Sequence, residues 1–369
     1  MQEIPVIDLA AQYRSIEPEL NSAVSRVLSR GNFILGEEVT SFEREFSAYC
    51  GLTFGIGVAT GTDALFLALR ACEIGPGHEV ITSAHTAVGT VTAIEMTGAR
   101  PVLADVDLQT YTLDPKDMEK KITSRTRAVI PVHLYGCPAE LAPICEIAAG
   151  RNLFVVEDCA QAHGASYKHK KVGSWGQLSA FSFYPTKNLG AFGDAGMVLT
   201  DNPELAERLL MLRQYGWKRR YISEIKGVNS RLDDIQAAIL RVKLKHLDVW
   251  NRRRQVLSGI YNELLADFEL DLPTLPPYAE HVYHQYVIRS NRRDQLRAFL
   301  SGRSIHTAIH YPVPIHLQPA FKNLGYGVGD FPVTERLSDQ VLSLPMYPEM
   351  TDGSAEAICQ AIREFDLTK

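Results

Sequence analysis

The sequence predicts an α/β protein: a large unit built on a mostly parallel mixed sheet flanked by helices, then a smaller C-terminal α+β unit. Three observations carry this. Short apolar runs rich in β-branched residues recur along the first 200 positions, namely F-G-I-G-V, E-V-I-T-S-A, P-V-L-A-D-V, R-A-V-I-P-V-H, N-L-F-V-V-E-D, L-S-A-F-S-F and G-M-V-L-T. Segments with helical spacing separate most of them, the pattern of a sheet buried on both faces. The texture then changes near residue 235, where a long helix-like run leads to a stretch marked by Pro273, Pro276 and Pro277. The expected division is residues 1–245 for the large unit and 246–369 for the small one with its bridging helix.

Taken in order, Ile16, Leu20, Ala23, Val24 and Val27 recur at helical spacing over residues 16–28, and Gly31 reads as the stop. Val39, Phe42, Phe46 and Tyr49 line one side of a helix over 37–50. A strand to Val58, a tight turn and a helix over 62–71 follow. Helices are expected over 86–96, 115–122 and 139–149, between successive strands. Residues 235–265 read as one continuous helix with a stripe at Ile235, Ile239, Val242, Leu244, Leu247 and Trp250. Beyond residue 278, H-Q-Y-V-I-R reads as a strand, and 294–300 and 355–365 as helices.

Composition narrows the function. The chain has 369 residues, 46% hydrophobic, with 38 basic and 43 acidic side chains and a net charge of −5. Nothing in that balance calls for a polyanion, and the cluster K-R-R at 218–220 is too short to imply a nucleic acid. The six cysteines form no C-x-x-C pair, so no metal site is expected, and their scatter fits a reducing compartment. M-Q-E-I-P-V-I-D lacks the basic start and apolar run of a signal peptide, and no run of about 18 apolar residues offers a membrane span. The expectation is a cytoplasmic protein with neither membrane nor nucleic acid as partner.

In an open α/β sheet the active crevice lies outside the carboxyl ends of the strands. Thr60, Gly61 and Thr62 follow one strand, Asp158 ends another, and Ser182 ends a third. Lys187 stands close behind, in S-F-Y-P-T-K-N-L-G, among aromatic and small residues. Each has a structural reading: T-G-T-D-A as an ordinary capped turn, Asp158 as a helix cap, Ser182 as a satisfied hydroxyl. The functional reading joins them. Gly61 and Thr62 at a helix start offer free amides to a phosphate, with Ser182 adding a hydroxyl. Asp158 pairs with a protonated ring nitrogen, and Lys187 forms an imine with an aldehyde. That is the set pyridoxal phosphate requires.

The motifs A-T-G-T-D-A-L (59–65), E-D-C-A-Q-A-H-G-A (157–165), F-S-F-Y-P-T-K-N-L-G (181–190), N-S-R-L-D-D-I-Q-A-A (229–238) and H-Y-P-V-P-I-H (310–316) run through the chain in this order. With them the sequence resembles the DegT/DnrJ/EryC1/StrS family of pyridoxal-phosphate-dependent nucleotide-sugar aminotransferases, over nearly its whole length. The resemblance implies the aspartate-aminotransferase-like fold (type I), Lys187 as the Schiff-base lysine and Asp158 as partner of the pyridinium nitrogen. It places Gln161 at the ring hydroxyl, and Gly61, Thr62 and Ser182 around the phosphate. Asn229 matches a position reaching the neighbouring subunit's cofactor, which implies a homodimer with shared active sites.

One departure stands out. Ala87 occupies a position where family members often carry an aromatic residue over the cofactor ring. His85, His163 or no aromatic side chain is left to stack there, and His163 also reads as a hydrogen-bonding residue behind the site. Arg219 and Arg220, with Lys218, are candidates for the sugar nucleotide's diphosphate, and His310, Tyr311 and His316 for its sugar. The three also read as loop packing.

The stretch from Tyr215 to Leu244 resembles the enzymes that aminate carbon 3 of dTDP-3-keto-6-deoxyhexoses. L-glutamate is then the donor, 2-oxoglutarate the co-product, and the cofactor alternates between its pyridoxal and pyridoxamine forms. Products of both galacto and gluco configuration fit. The alternatives are a carbon-4 aminotransferase and a non-catalytic regulator on the same fold. Lys187 argues against the related dehydratases, which carry histidine there.

Overall fold

The computed structural model describes residues 3–366. Its centre is a seven-stranded sheet of β1 (Phe54–Val58), β2 (Glu79–Ser83), β3 (Arg100–Ala104), β4 (Thr126–Ile130), β5 (Phe154–Asp158), β6 (Leu178–Ser182) and β7 (Gly196–Thr200), in the order β1-β7-β6-β5-β4-β2-β3. Every pairing is parallel except those of β7, which runs antiparallel to β1 and β6. All five residues of β2 and of β7 are buried. That is why these runs are continuously apolar rather than alternating.

The helix Gly61–Ala71 packs across β5, β6 and β7, and all but four of its eleven residues are buried. An all-round apolar helix belongs inside, so its amino end is delivered to the carboxyl end of the sheet. The helix Glu17–Arg30 ends as expected. Gly31 takes φ 69°, and its N–H returns to the carbonyl of Val27.

The bridging segment differs from its expected form. It is two helices, Asp234–Leu244 and Leu247–Leu265, broken at Lys245 and His246. No glycine or proline stands at the break. The first helix packs on Glu17–Arg30 and Glu37–Tyr49, the second on the terminal helix Asp352–Asp366. The two segments therefore answer to different cores, and tertiary packing overrides local helical preference.

The second core gathers Leu257, Tyr261, Tyr286, Ile288, Leu296, Leu342, Ile358 and Ile362 around an antiparallel pair, Tyr286–Arg289 with Val341–Leu344. The start of the chain joins it, since Ile4 bridges Ile305 and both Ile4 and Ile7 pack there. Among the described residues no helix is long and apolar enough to cross a membrane.

Candidate active site

The carboxyl ends of β1, β5 and β6 open on a cavity of about 320 Å³. Thr60, Gly61, Thr62, Ala87, Thr90, Asp158, Ser182, Tyr184, Lys187 and Asp194 are among the residues lining it. Residues more than 120 positions apart in the sequence thus meet at one rim.

The helix start is built for an anion. Thr60 caps it, its Oγ1 accepting from the Asp63 N–H at 3.0 Å and its carbonyl from the Ala64 N–H. The first-turn amides of Gly61 and Thr62 are left for a ligand. A Cβ on Gly61 would lie 2.4 Å from the Cβ of Ser182. Only glycine lets the helix end and the serine hydroxyl approach this closely.

Asp158 is buried at the end of β5. Its Oδ2 accepts from Thr90 Oγ1 at 2.8 Å and its Oδ1 from the Ala160 N–H at 3.1 Å. Burial pushes its carboxyl up from the ordinary range, against the pull of these two donors and the charge of Lys187. Lys187 is half-buried, and burial draws its amine down to about 8, against the pull of Asp158. An amine so shifted is still mostly protonated at pH 7, but about a tenth of it is free base, far more than for an ordinary lysine, and the free base is the form that attacks a carbonyl.

Behind Asp158 stands a buried hydrogen-bonded pair that sequence reasoning missed. His133 Nε2 lies 3.0 Å from Glu157 Oε2, and both side chains are fully buried. Glu157 also accepts from the N–H groups of Gly173, Trp175 and Gly176 at 2.7–2.8 Å, and His133 Nδ1 from that of Ala139 at 3.0 Å. His133, Glu157 and Cys159 bring their ligand-type atoms within 4.8 Å of one another. The first two are already consumed by these hydrogen bonds.

A second network, whose residues are not among those lining the cavity, ties Gln161 and Tyr135 to the loop of His310 and Tyr311. Gln161 Oε1 accepts from the Tyr135 N–H at 2.7 Å, and its Nε2 donates to the Tyr311 hydroxyl at 3.1 Å. The Tyr135 hydroxyl donates to the carbonyl of His310 and contacts His85 Nε2 at 2.8 Å. His310 is anchored to Ser343 Oγ at 2.8 Å, and its imidazole is pulled down to about 4 by burial and by Lys187. Burial pushes the Tyr311 hydroxyl up to about 12.

Other expected site residues fall elsewhere. Ala87 lines the cavity, while His85 and His163 stand outside its lining. His163 is buried among Phe46, Phe181 and Phe183, its ring centroid 5.5–6.3 Å from theirs. His316 is buried against Phe331 with Nε2 3.0 Å from Glu335 Oε1, the packing arrangement. Arg219 and Arg220 sit exposed on a hairpin formed by Trp217–Arg219 and Ile222–Ser223. Arg220 lies over the ring of Tyr221. Asn229 is exposed, paired through its backbone with Gln214. On this chain neither the hairpin nor Asn229 lines the cavity.

A lysine of lowered basicity, a buried carboxylate and a glycine-opened helix end on this sheet define a pyridoxal-phosphate-dependent transferase. The chain belongs to the DegT/DnrJ/EryC1/StrS aminotransferase family, whose model matches residues 14–363. It is 47% identical over 363 residues to the dTDP-3-amino-3,4,6-trideoxy-alpha-D-glucose transaminase of Streptomyces venezuelae, covering 98% of this chain and 96% of that one. It is 45% identical over 362 residues to the dTDP-3-amino-3,6-dideoxy-alpha-D-galactopyranose transaminase of Aneurinibacillus thermoaerophilus, covering 98% and 99%. The crystal structure of S. venezuelae DesV in complex with a ketimine intermediate matches with a TM-score of 0.97 at 47% identity, over 99% of both chains. The protein is a sugar aminotransferase.

Proposed function

We propose that the protein transfers the amino group of L-glutamate to the C3 ketone of a dTDP-3-keto-6-deoxyhexose, giving a dTDP-3-amino-3,6-dideoxyhexose and 2-oxoglutarate. The observation that carries this is the convergence of Gly61, Thr62, Ser182, Asp158 and Lys187 on one cavity. The names of the two relatives support the nucleotide and the position.

These residues fit pyridoxal phosphate. The amides of Gly61 and Thr62 and the hydroxyl of Ser182 would hold the phosphate, Asp158 the ring nitrogen, Gln161, beside the cavity rather than in its lining, the ring hydroxyl, and Lys187 the aldehyde carbon. Once bound, the cofactor supplies an electron sink and a carrier for the amino group. The chain supplies the rest. Asp158, kept dry and held by Thr90, presents negative charge where a proton on the ring nitrogen must be retained. With the cofactor bound, Lys187 Nζ would take the proton from the carbon bearing the nitrogen and return it one position away. The hydrogen bonds joining Tyr135, Gln161 and Tyr311 support assigning His310 and Tyr311 to the sugar.

Three further assignments belong to this reading. The large unit comprises residues 1–245 and the small one 246–369. Asn229 and the 217–223 hairpin, both outside this chain's own cavity, serve a partner subunit's site in a homodimer. Arg219 and Arg220 meet the diphosphate there.

Incubation with L-glutamate and, separately, dTDP-3-keto- and dTDP-4-keto-6-deoxyhexoses, with NMR of the products, tests the position. Amination at carbon 3 is expected. Amination only at carbon 4 overturns the proposal, and the product couplings assign the C4 configuration.

A further inference from the structure

Lys187 leaves the chain one residue before Asn188, a fully enclosed side chain, 2% exposed, that the family motif alone does not explain. Asn188 is held on three sides. Its Nδ2 donates to Asn251 Oδ1 at 2.9 Å and to the carbonyl of Val282 at 3.1 Å, and its Oδ1 lies 3.2 Å from His284 Nδ1. These partners come from the helix Leu247–Leu265, which packs in the second core through Leu257 and Tyr261, and from the segment entering the strand Tyr286–Arg289, where Tyr283 packs in that core and Val282 in the core around Leu189.

The network fixes the protonation pattern. The Val282 carbonyl can only accept, so Nδ2 faces it and Oδ1 faces the imidazole. An amide oxygen can only accept, so His284 Nδ1 carries the hydrogen. Burial, with the charge of Lys187, draws this imidazole well below its ordinary basicity, so the ring is neutral with its hydrogen on Nδ1.

Both partners are braced. Asn251 Nδ2 donates to the His163 carbonyl at 2.8 Å, and a Cβ on Gly164 would sit 2.7 Å from that nitrogen. The carbonyls of Tyr283 and His284 accept from Arg254 Nη1 at 3.2 and 3.4 Å. The far end of the lysine loop is pinned too, since buried Lys243 Nζ donates to the Gly190 carbonyl at 2.8 Å.

We propose that Asn188 and His284 are a positioning pair for Lys187: the hydrogen bond from His284 Nδ1, with the two that Asn188 donates, locks the lysine's loop to the C-terminal unit and aims its amine at the cofactor's aldehyde carbon. This rests on Lys187 being the cofactor lysine. An aimed amine competes with free amines at a high effective concentration, and a loosened one loses that advantage.

The test uses the cofactor-loaded chain and methylamine as competitor. After equilibration, borohydride traps the cofactor where it sits. Mass spectrometry then reads the share on the Lys187 peptide against the share on methylamine. His284→Asn places an amide nitrogen where Nδ1 stands and is expected within threefold of wild type. His284→Leu and Asn188→Ala are expected to release the cofactor at a methylamine concentration at least tenfold lower, at a temperature where circular dichroism shows them folded. A purely structural role would lower their melting temperature without moving this ratio. Should one apolar variant fail to fold, the other decides against His284→Asn. Variants with wild-type competition, or His284→Asn behaving as His284→Leu, overturn the inference alone. A wild-type chain with no cofactor on Lys187 overturns the functional proposal and this inference together.

Discussion

Thr90→Val removes one hydroxyl and almost nothing else. Thr90 Oγ1 donates to Asp158 Oδ2 at 2.8 Å, and both residues are buried. The two side chains have nearly the same volume, so the change deletes a donor from a buried carboxylate. A hydrogen bond to a charged group is worth about 1.5–3 kcal/mol. At about 1.4 kcal/mol per pKa unit, its loss lifts the Asp158 carboxyl by roughly one to two units. The sign follows from the site. Burial already pushes this carboxyl up, and Thr90 is one of the groups opposing it. In the loaded protein Asp158 must stay ionised to keep the ring nitrogen protonated. Stopped-flow absorbance of the first half-reaction with L-glutamate, over roughly pH 5 to 9 where such a limb falls, reads the effect. The acid limb is expected to move upward by roughly one to two pH units, and Thr90→Ser to restore it. Superimposable profiles for Thr90→Val and wild type would refute the role given to Asp158.

Other perturbations reach other parts of the site. Gly61→Ala puts a methyl 2.4 Å from the Ser182 Cβ and is expected to weaken cofactor binding at least tenfold, at an overpacking cost of about 1–3 kcal/mol, measured by absorbance titration. Burial alone would raise the Glu157 carboxyl, yet its bonds from His133 and from the Gly176 and Gly173 amides hold it below its ordinary 4.5. Its contribution to stability is therefore present above the ordinary carboxylate range and lost as pH falls through the lowered value. His133→Ala removes a donor from that buried carboxylate and is expected to cost about 1.5–3 kcal/mol in urea unfolding near neutral pH.

Much of this was legible in the sequence because it is written locally. Each strand of the large sheet overlaps one of the short apolar runs, and Gly31 ends its helix where the apolar spacing stops. The break at Lys245–His246 was not legible. It has no breaker residue and arises from two cores pulling one helical run in different directions. In the site, Gly61, Thr62, Asp158, Ser182 and Lys187 could be gathered because a parallel sheet returns strand ends to one rim. Thr90, the Glu157–His133 pair and the Asn188–His284 pair depend on side chains 24 to 96 positions apart meeting in space, and no spacing rule reports that. His316 shows the converse. Its motif is suggestive, but its ring serves Glu335 and Phe331.

The most direct measurement is to load the purified chain with pyridoxal 5'-phosphate, reduce it with borohydride and map the modified peptide by mass spectrometry. A single phosphopyridoxyl adduct on the side-chain nitrogen of Lys187 is expected, and none in Lys187→Ala. A label on another lysine, or an unlabelled chain, would contradict it.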